Sequence, residues 1–269
     1  MPILWLRAAL GFYSVGLLCA LVALIRQSGL HRIALPAMSI GMIFQFVSLA
    51  ETVMPAGPLA LTSMHSAESL LGLLVMAAFM VVYVVYRTTS PGIVIFPLVF
   101  LVTFAAATHQ QPFLLTSPVL GGWLIAHITL IFAGYAALFL SFTASILYLI
   151  QERRLKAKEA GQAISRLPAL QQIDDIGYRS LLLGFPFMTL GLVAGMVVAQ
   201  GRFGHLDVLD PKILLSILMW AVYMIMLYTR WNAGWRGRRA AYLATGAFVI
   251  ALIAWSANYF SAIHKAVQS

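Results

Sequence analysis

The sequence predicts an all-α protein, a polytopic bundle of about eight transmembrane helices with both termini outside. Three observations support this fold class. Hydrophobic residues make up 62% of the 269 residues and charged residues only 9%, whereas about 25% of the residues of a soluble domain are charged. The mean hydropathy is +0.93. The apolar runs exceed the roughly 18 residues that indicate a membrane-spanning helix, and a barrel would instead show short alternating strands.

Apolar runs that end at charged residues, Pro or Gly define the expected spans. The first run has no small-residue cleavage site, so we expect it to be retained as a helix rather than removed as a signal peptide. The longest hydrophilic stretch, 151–180, predicts a basic helical extension followed by a loop. We expect one membrane domain over 1–269. The spans cover residues 3–25, 33–54, 66–86, 92–108, 121–150, 181–199, 211–229 and 240–260.

The basic residues predict the orientation. Of the 17 Lys and Arg residues, only Arg7, Arg202, Lys212 and Lys265 fall on one side of the predicted bundle. By the positive-inside rule the other side is cytoplasmic. This loop pattern accounts for the net charge of +9, so we favour membrane topology over nucleic-acid binding. The cytoplasmic set comprises Arg26, Arg32, Arg87, Arg153, Arg154, Lys156, Lys158, Arg166, Arg179, Arg230, Arg236, Arg238 and Arg239.

Potential metal chemistry depends on histidine, because the single cysteine, Cys19, lies in the first apolar run and has no thiol partner within the chain. Counting about 20 helical residues for each crossing assigns only His31 to the cytoplasmic side. Neutral imidazole is the commonest metal ligand, and two imidazoles can fill the axial positions of a heme iron. The histidines assigned to the outer face are His65, His109, His127, His205 and His264.

Two alternatives remain for these polar residues. Histidine is amphipathic and is tolerated at the membrane–water interface, so the outer histidines can lie at that interface without binding any ligand. No H-x-x-x-H or H-E-x-x-H pattern supports a zinc hydrolase site. Glu51 and Glu68 lie near the outer face, where they either pair with Arg7 or line a hydrated cavity. The aromatic residues near predicted helix ends are expected to anchor the interface, namely Trp123, Trp220, Tyr223, Trp231, Trp235 and Trp255.

The second half of the chain carries a series of recognisable segments. In this order they resemble the core of the cytochrome c assembly family, which includes CcsA, CcmC and HemX, over residues 120–265. Residues 1–118 match that family only in their span pattern, apart from a weak likeness at His65-Ser66-Ala67-Glu68. The segments are His127 to Lys156 with Gly134-Tyr135-Ala136-Ala137, Leu167-Pro168-Ala169-Leu170, Ile173 to Arg179, Gly184 to Gly195, Asp210-Pro211-Lys212 and Gly234 to Ala240.

The resemblance implies a heme-handling membrane protein. In the family, two external histidines bind heme, and they correspond to His127 and His264 here. The outer loop from Arg202 to Lys212 contains no tryptophan, and Tyr228 stands where CcsA-type members carry a histidine. These departures favour the shorter HemX-like branch. His205 is then a candidate replacement ligand or propionate contact, Arg202 a candidate propionate partner, and His65 a further candidate in the heme site.

The predicted function is therefore to hold or transfer non-covalent, b-type heme at the periplasmic face of a bacterial inner membrane, for cytochrome c maturation or heme homeostasis. We expect a handling factor rather than a catalyst. By analogy, its partner is an apocytochrome c or a second membrane protein of the maturation pathway, and nucleic acid is not expected. The alternatives are a small-solute or ion transporter that uses Glu51 and Glu68, a b-type electron carrier, and a regulatory scaffold that does not use heme.

Overall fold

A computed structural model describes residues 2–26, 29–56, 60, 63–108, 121–157, 168–203 and 211–256. Within these residues the regular structure consists of α-helices, which confirms the predicted all-α class. The chain forms two compact units, Met1–Ile128 and Thr129–Ser269, and the expectation of one membrane domain over 1–269 stays a prediction. The helices are α1 (Pro2–Arg26), α2 (His31–Ala56), α3 (Met64–Tyr86), α4 (Gly92–Thr108), α5 (Gly121–Lys156), α6 (Leu170–Phe203), α7 (Pro211–Trp231) and α8 (Arg238–Ser256).

The helices are those of a polytopic membrane protein. Among the described residues, six of them are long and apolar enough to cross a bilayer, namely α1, α2, α3, α5, α6 and α7. Helix α4 is also apolar but has only 17 residues. In a hydrocarbon environment, helices satisfy their own backbone hydrogen bonds, which is why such a sequence folds into them.

The largest departure from the predicted spans is at the start of α6. The sequence predicted a loop before residue 181, but α6 begins at Leu170. Ile173 and Ile176 are buried in this polar first part, 1% and 2% exposed, and Asp174 has hydrogen-bond partners on α7 and at the start of α8. A search for continuous apolar runs misses these turns, because buried apolar residues and charged residues alternate along their sequence.

In the first unit, α1 packs along α2 where glycine removes a side chain. A Cβ added at Gly41 would lie 2.6 Å from Cδ1 of Tyr13, and one at Gly16 would lie 2.7 Å from Cγ of Met38. Tyr13 and Met38 are both fully buried. Small residues commonly let membrane helices approach closely, because their packing depends on van der Waals contact rather than on the exclusion of water.

A buried glutamine links α1, α2, α3 and α4 in the first unit. Gln45 on α2 is 0% exposed. Its Oε1 accepts a hydrogen bond from the Tyr13 hydroxyl at 2.7 Å. Its Nε2 donates to the carbonyl oxygen of Ser69 at 2.9 Å and to Oγ1 of Thr103 at 3.2 Å. These bonds reach α1, α3 and α4, so the amide is satisfied only when the four helices are in register.

In the second unit, Tyr223 of α7 lies in the core. It is 0% exposed, and its hydroxyl donates to the carbonyl oxygen of Gly134 on α5 at 2.6 Å. A Cβ at Gly184 of α6 would lie 2.5 Å from this hydroxyl. The prediction that Tyr223 anchors the membrane interface is therefore wrong. A tyrosine can be fully buried when a backbone carbonyl accepts a hydrogen bond from its hydroxyl group.

The contact between α1 and α2 leads to a test with a matched control. We expect Gly41→Ala to destabilise the protein by about 1–3 kcal/mol, because the new methyl group overpacks the buried ring of Tyr13. Gly11→Ala is the control, since nothing lies within 4 Å of a Cβ at that position. Thermal unfolding in mild detergent would show a lower midpoint for Gly41→Ala only. Equal midpoints for the two variants would contradict the close packing.

Candidate functional site

His127 lies in the second turn of α5 and is half-buried. Trp123 precedes it by four residues and is 52% exposed. Residues four apart on a helix lie on the same face, so the indole and the imidazole are neighbours on α5. From the sequence, Trp123 was expected only to anchor the membrane interface.

His65 is held by a backbone contact at the start of α3. Ser63 caps this helix by accepting a hydrogen bond from the amide of Ser66 at 3.2 Å. The Nδ1 atom of His65 is hydrogen-bonded to the carbonyl oxygen of Ala106 on α4. A carbonyl can only accept, so Nδ1 is the donor, and Nε2 is the nitrogen with a lone pair for a ligand whenever the ring is neutral. Metal-ligating histidines commonly have this arrangement.

The two acids that suggested a cavity lie on neighbouring helices. Glu51 of α2 accepts a hydrogen bond from the indole Nε1 of Trp5 at 2.9 Å. Glu68 lies three residues after His65 on α3, and both acids are half-buried. The indole hydrogen bond explains how one oxygen of Glu51 is satisfied next to an apolar helix. The hydrated cavity and the pairing of these acids with Arg7 stay predictions.

Several predicted site residues lie outside the described part of the chain. They are His109, His205 and His264. Arg202 belongs to the last turn of α6, but its side chain is not described. Among the described residues, no group of three or more His, Cys, Asp or Glu side chains is placed to hold a metal ion. A heme iron differs from such sites because the protein supplies only its axial ligands.

A charged cluster joins three elements at the basic end of the second unit. Nη1 of Arg230 on α7 donates to Oδ2 of Asp174 on α6 at 2.8 Å. Nη2 of Arg230 donates to the carbonyl oxygen of Asp174 at 3.1 Å. Oδ1 of Asp174 accepts the amide of Gly237, just before α8, at 3.1 Å. The Arg230 side chain is only 9% exposed, so its charge depends on this partner.

Two aromatic residues complete what we call the Asp174 cluster, which consists of Asp174, Tyr178, Arg230, Trp231 and Gly237. The guanidinium carbon of Arg230 lies 5.2 Å from the centroid of the Tyr178 ring, at cation–π distance. The indole Nε1 of Trp231 donates to the Tyr178 hydroxyl at 2.8 Å. Gly237 has a φ of +63°, and a Cβ there would lie 2.5 Å from the Tyr148 hydroxyl. Glycine is thus required at that turn.

A small cleft, partly open to solvent, lies beside this cluster. Hydroxyl groups from α5 and α7 line it, namely those of Ser141, Ser145, Tyr148 and Thr229, together with Asp174 of α6 and Arg230 of α7. The charged groups that face it already bond each other. We therefore attribute a structural role to this end of the unit.

Little in the sequence indicates the Asp174 cluster. Asp174, Tyr178 and Gly237 lie in segments that resemble the family, but no role was predicted for them individually. Arg230 was used only to predict the membrane orientation. One signal was available: Asp174 and Asp175 are the only acids between Glu159 and Asp207, and they adjoin an apolar span. An acid next to a span needs a cationic partner. The sequence does not show which arginine provides it, because Asp174 and Arg230 are 56 residues apart.

Comparison with known proteins gives a consistent family. The family model described as "Cytochrome C assembly protein" matches residues 4–264. A protein described as "Cytochrome c biogenesis protein CcsA" from Mesostigma viride is 30% identical over 167 residues, 55% of this chain and 54% of that protein. The protein of the same description from Guillardia theta is 28% identical over 210 residues, 70% of each chain. No solved structure is significantly similar.

A third relative, the CcsA protein of Chlamydomonas reinhardtii, is 34% identical over 143 residues, 52% of this chain and 39% of that protein. This chain thus spans about half of the length of some of these relatives and 70% of another. These three relatives carry the CcsA description, and the closer likeness to the HemX branch stays a prediction.

The Asp174 cluster leads to a test with an adjacent control. We expect Asp174→Asn to destabilise the second unit by about 3 kcal/mol, because it leaves the buried charge of Arg230 without a counter-charge. Asp175→Asn is the control. Asp175 pairs with Arg179 at 3.0 Å, but the side chain of Arg179 is 62% exposed, and exposed pairs contribute little. Thermal unfolding in mild detergent should separate the two variants, and equal effects would contradict the assigned role.

Proposed function

The chain belongs to the cytochrome c assembly protein family, and on that premise we propose that it holds heme at the outer face of a bacterial cytoplasmic membrane. The family match over residues 4–264 is the observation that carries the proposal. The heme is bound without covalent attachment and is used for cytochrome c maturation or heme homeostasis. The partner that we propose is an apocytochrome c or a second membrane protein of the maturation pathway.

His127 and His264 are the proposed axial ligands. His127 is supported by its position on α5, since the basic residues of that helix are all in its last turn. Residues 127 and 153 are separated by about 39 Å of helix, at about 1.5 Å per residue. This exceeds the roughly 30 Å of the hydrocarbon core. If the basic end is cytoplasmic, His127 reaches the outer boundary of the membrane.

The chemistry of the described residues fits heme in two further ways. His65 keeps the lone pair of Nε2 directed away from its carbonyl partner, so it is a candidate ligand when a partner protein takes one axial position. The exposed indole of Trp123 is a candidate surface for stacking on the porphyrin beside His127. His205 and Arg202 are proposed as contacts for the heme propionates, which are anionic.

His127 and His264 would hold the heme through imidazole nitrogen, and the heme would supply an iron that accepts such ligands. The chain itself positions the ligands and provides apolar and aromatic surface around them. No bond-making step is assigned to its side chains, so we propose a heme-handling factor rather than a catalyst.

The proposal is tested by the visible spectrum of the protein purified in mild detergent. We expect a Soret band with low-spin, bis-histidine features. His127→Ala and His264→Ala should each lower the heme-to-protein ratio and convert the remaining signal to high spin, because an axial ligand is lost. Added imidazole should restore the low-spin signal if the fold is intact.

His31→Ala is the control, since His31 begins α2 next to Arg32 at the predicted cytoplasmic end. Its spectrum should match that of the unchanged protein. Low-spin heme that persists in the His127→Ala/His264→Ala double variant would remove these two residues as ligands. If His65→Ala then abolished that signal, ligation by His65 would replace the present assignment.

A further inference from the structure

Two exposed arginines from different helices converge on one tyrosine hydroxyl at the basic end of the second unit. Tyr242 lies in the second turn of α8 and is 48% exposed. Its hydroxyl oxygen accepts hydrogen bonds from Nη2 and Nε of Arg238, at 3.2 and 3.4 Å. Arg153, in the last turn of α5, is close enough to interact with the same hydroxyl. We call Arg153, Arg238 and Tyr242 the arginine–tyrosine cluster.

The packing of α8 on α5 brings these residues together. Phe248 of α8 stacks on Phe142 of α5 with ring centroids 4.2 Å apart and an interplanar angle of 20°. Phe139 contacts the same ring at 5.4 Å. The two helices are thus fixed against each other by aromatic contacts. The convergence of Arg153 and Arg238 therefore depends on the core of the unit and not only on the choice of surface rotamers.

The arrangement places two positive charges around an acceptor that carries no formal charge. Glu152 is the nearby acid on α5, and it pairs with Lys156 at 2.7 Å. The two guanidinium groups repel each other, and a hydroxyl oxygen offsets this less than an anion would. A phosphate group would accept charge-assisted hydrogen bonds from both arginines and a further one from the tyrosine hydroxyl.

An exposed stripe on α8 runs from this cluster along the apolar part of the helix. Gly246, Val249 and Ile253 follow Tyr242 at offsets of four, seven and eleven residues, so they lie on the same helix face. Val249 and Ile253 are 50% and 57% exposed. Nothing lies within 4 Å of a Cβ built at Gly246. Gly246 therefore leaves a gap between the exposed side chains of Tyr242 and Val249, which we call the slot, on an apolar helix face that an acyl chain can contact.

We propose that the arginine–tyrosine cluster binds the phosphate of an anionic phospholipid, with an acyl chain along the Gly246 stripe. A phosphate group is common to lipid headgroups and to free phosphate. The apolar stripe favours the lipid, because a soluble anion makes no use of it. Basic clusters at the cytoplasmic end of membrane helices are suited to such headgroups.

The test measures lipid binding to the full chain in mild detergent by native mass spectrometry. Phosphatidylglycerol is titrated alongside phosphatidylcholine with the same acyl chains, and sodium phosphate is added in a separate arm. We expect the Arg153→Ala/Arg238→Ala variant to lose roughly tenfold in affinity for phosphatidylglycerol, because each basic residue near an anionic headgroup adds to binding. Tyr242→Phe should show a smaller loss, since it removes only the hydroxyl.

The matched control is Arg154→Ala/Arg239→Ala, which removes the same charge from the same two helices. It should leave the affinity for phosphatidylglycerol nearly unchanged. Gly246→Leu, which fills the slot without altering charge, should weaken lipid binding and not phosphate binding. An equal loss in both arginine variants would overturn the proposal in favour of diffuse charge. Displacement of the lipid by millimolar phosphate, with no effect of Gly246→Leu, would overturn it in favour of a soluble anion.

Discussion

The ion pair between Asp174 and Arg230 is the interaction on which the second unit most depends. It lies next to an apolar bundle, and the Arg230 side chain is nearly buried, so neither charge is satisfied by water alone. The pair and the amide of Gly237 connect α6, α7 and the start of α8. Helices are stiff, and fixing their basic ends limits how their opposite ends can move. Those opposite ends lead to the segments that carry His205 and His264.

The predicted fold class follows from the sequence because the bilayer restricts the possible structures. Long apolar runs must form helices that satisfy their own backbone groups, and within the described residues each predicted span overlaps a helix. The polar first turns of α6 were missed because they are stabilised by contacts distant in sequence. Tyr223 was misassigned for the same reason: its hydroxyl is satisfied by the carbonyl of Gly134, 89 residues away.

The candidate site is predicted less completely than the fold. The position of His127 near one end of α5 follows from counting residues along a helix. The contact of His65 with Ala106, 41 residues later, cannot be predicted in this way. Helical periodicity does not show which backbone carbonyl a histidine ring on another helix will contact. Trp123 was visible in the sequence, yet its relation to His127 has meaning only once both are placed on one helix.

The two ends of α5 have different chemistry. One end presents an imidazole next to an exposed indole, and the other presents arginines, one of which converges with an arginine of α8. In the account proposed above, the first end holds heme outside the cytoplasm, and the second end contacts anionic headgroups inside. This arrangement requires α5 to span the membrane with Trp123 at the outer side and Arg153 at the cytoplasmic side.

The most direct test of that claim is the sidedness of α5. Trp123→Cys and Arg153→Cys are made in a Cys19→Ser background, which removes the single natural thiol, and spheroplasts are treated with a membrane-impermeant maleimide. The account predicts that Trp123→Cys reacts in intact spheroplasts, whereas Arg153→Cys reacts only after the membrane is permeabilised. Labelling of Arg153→Cys but not Trp123→Cys in intact spheroplasts would place His127 on the cytoplasmic side and contradict it.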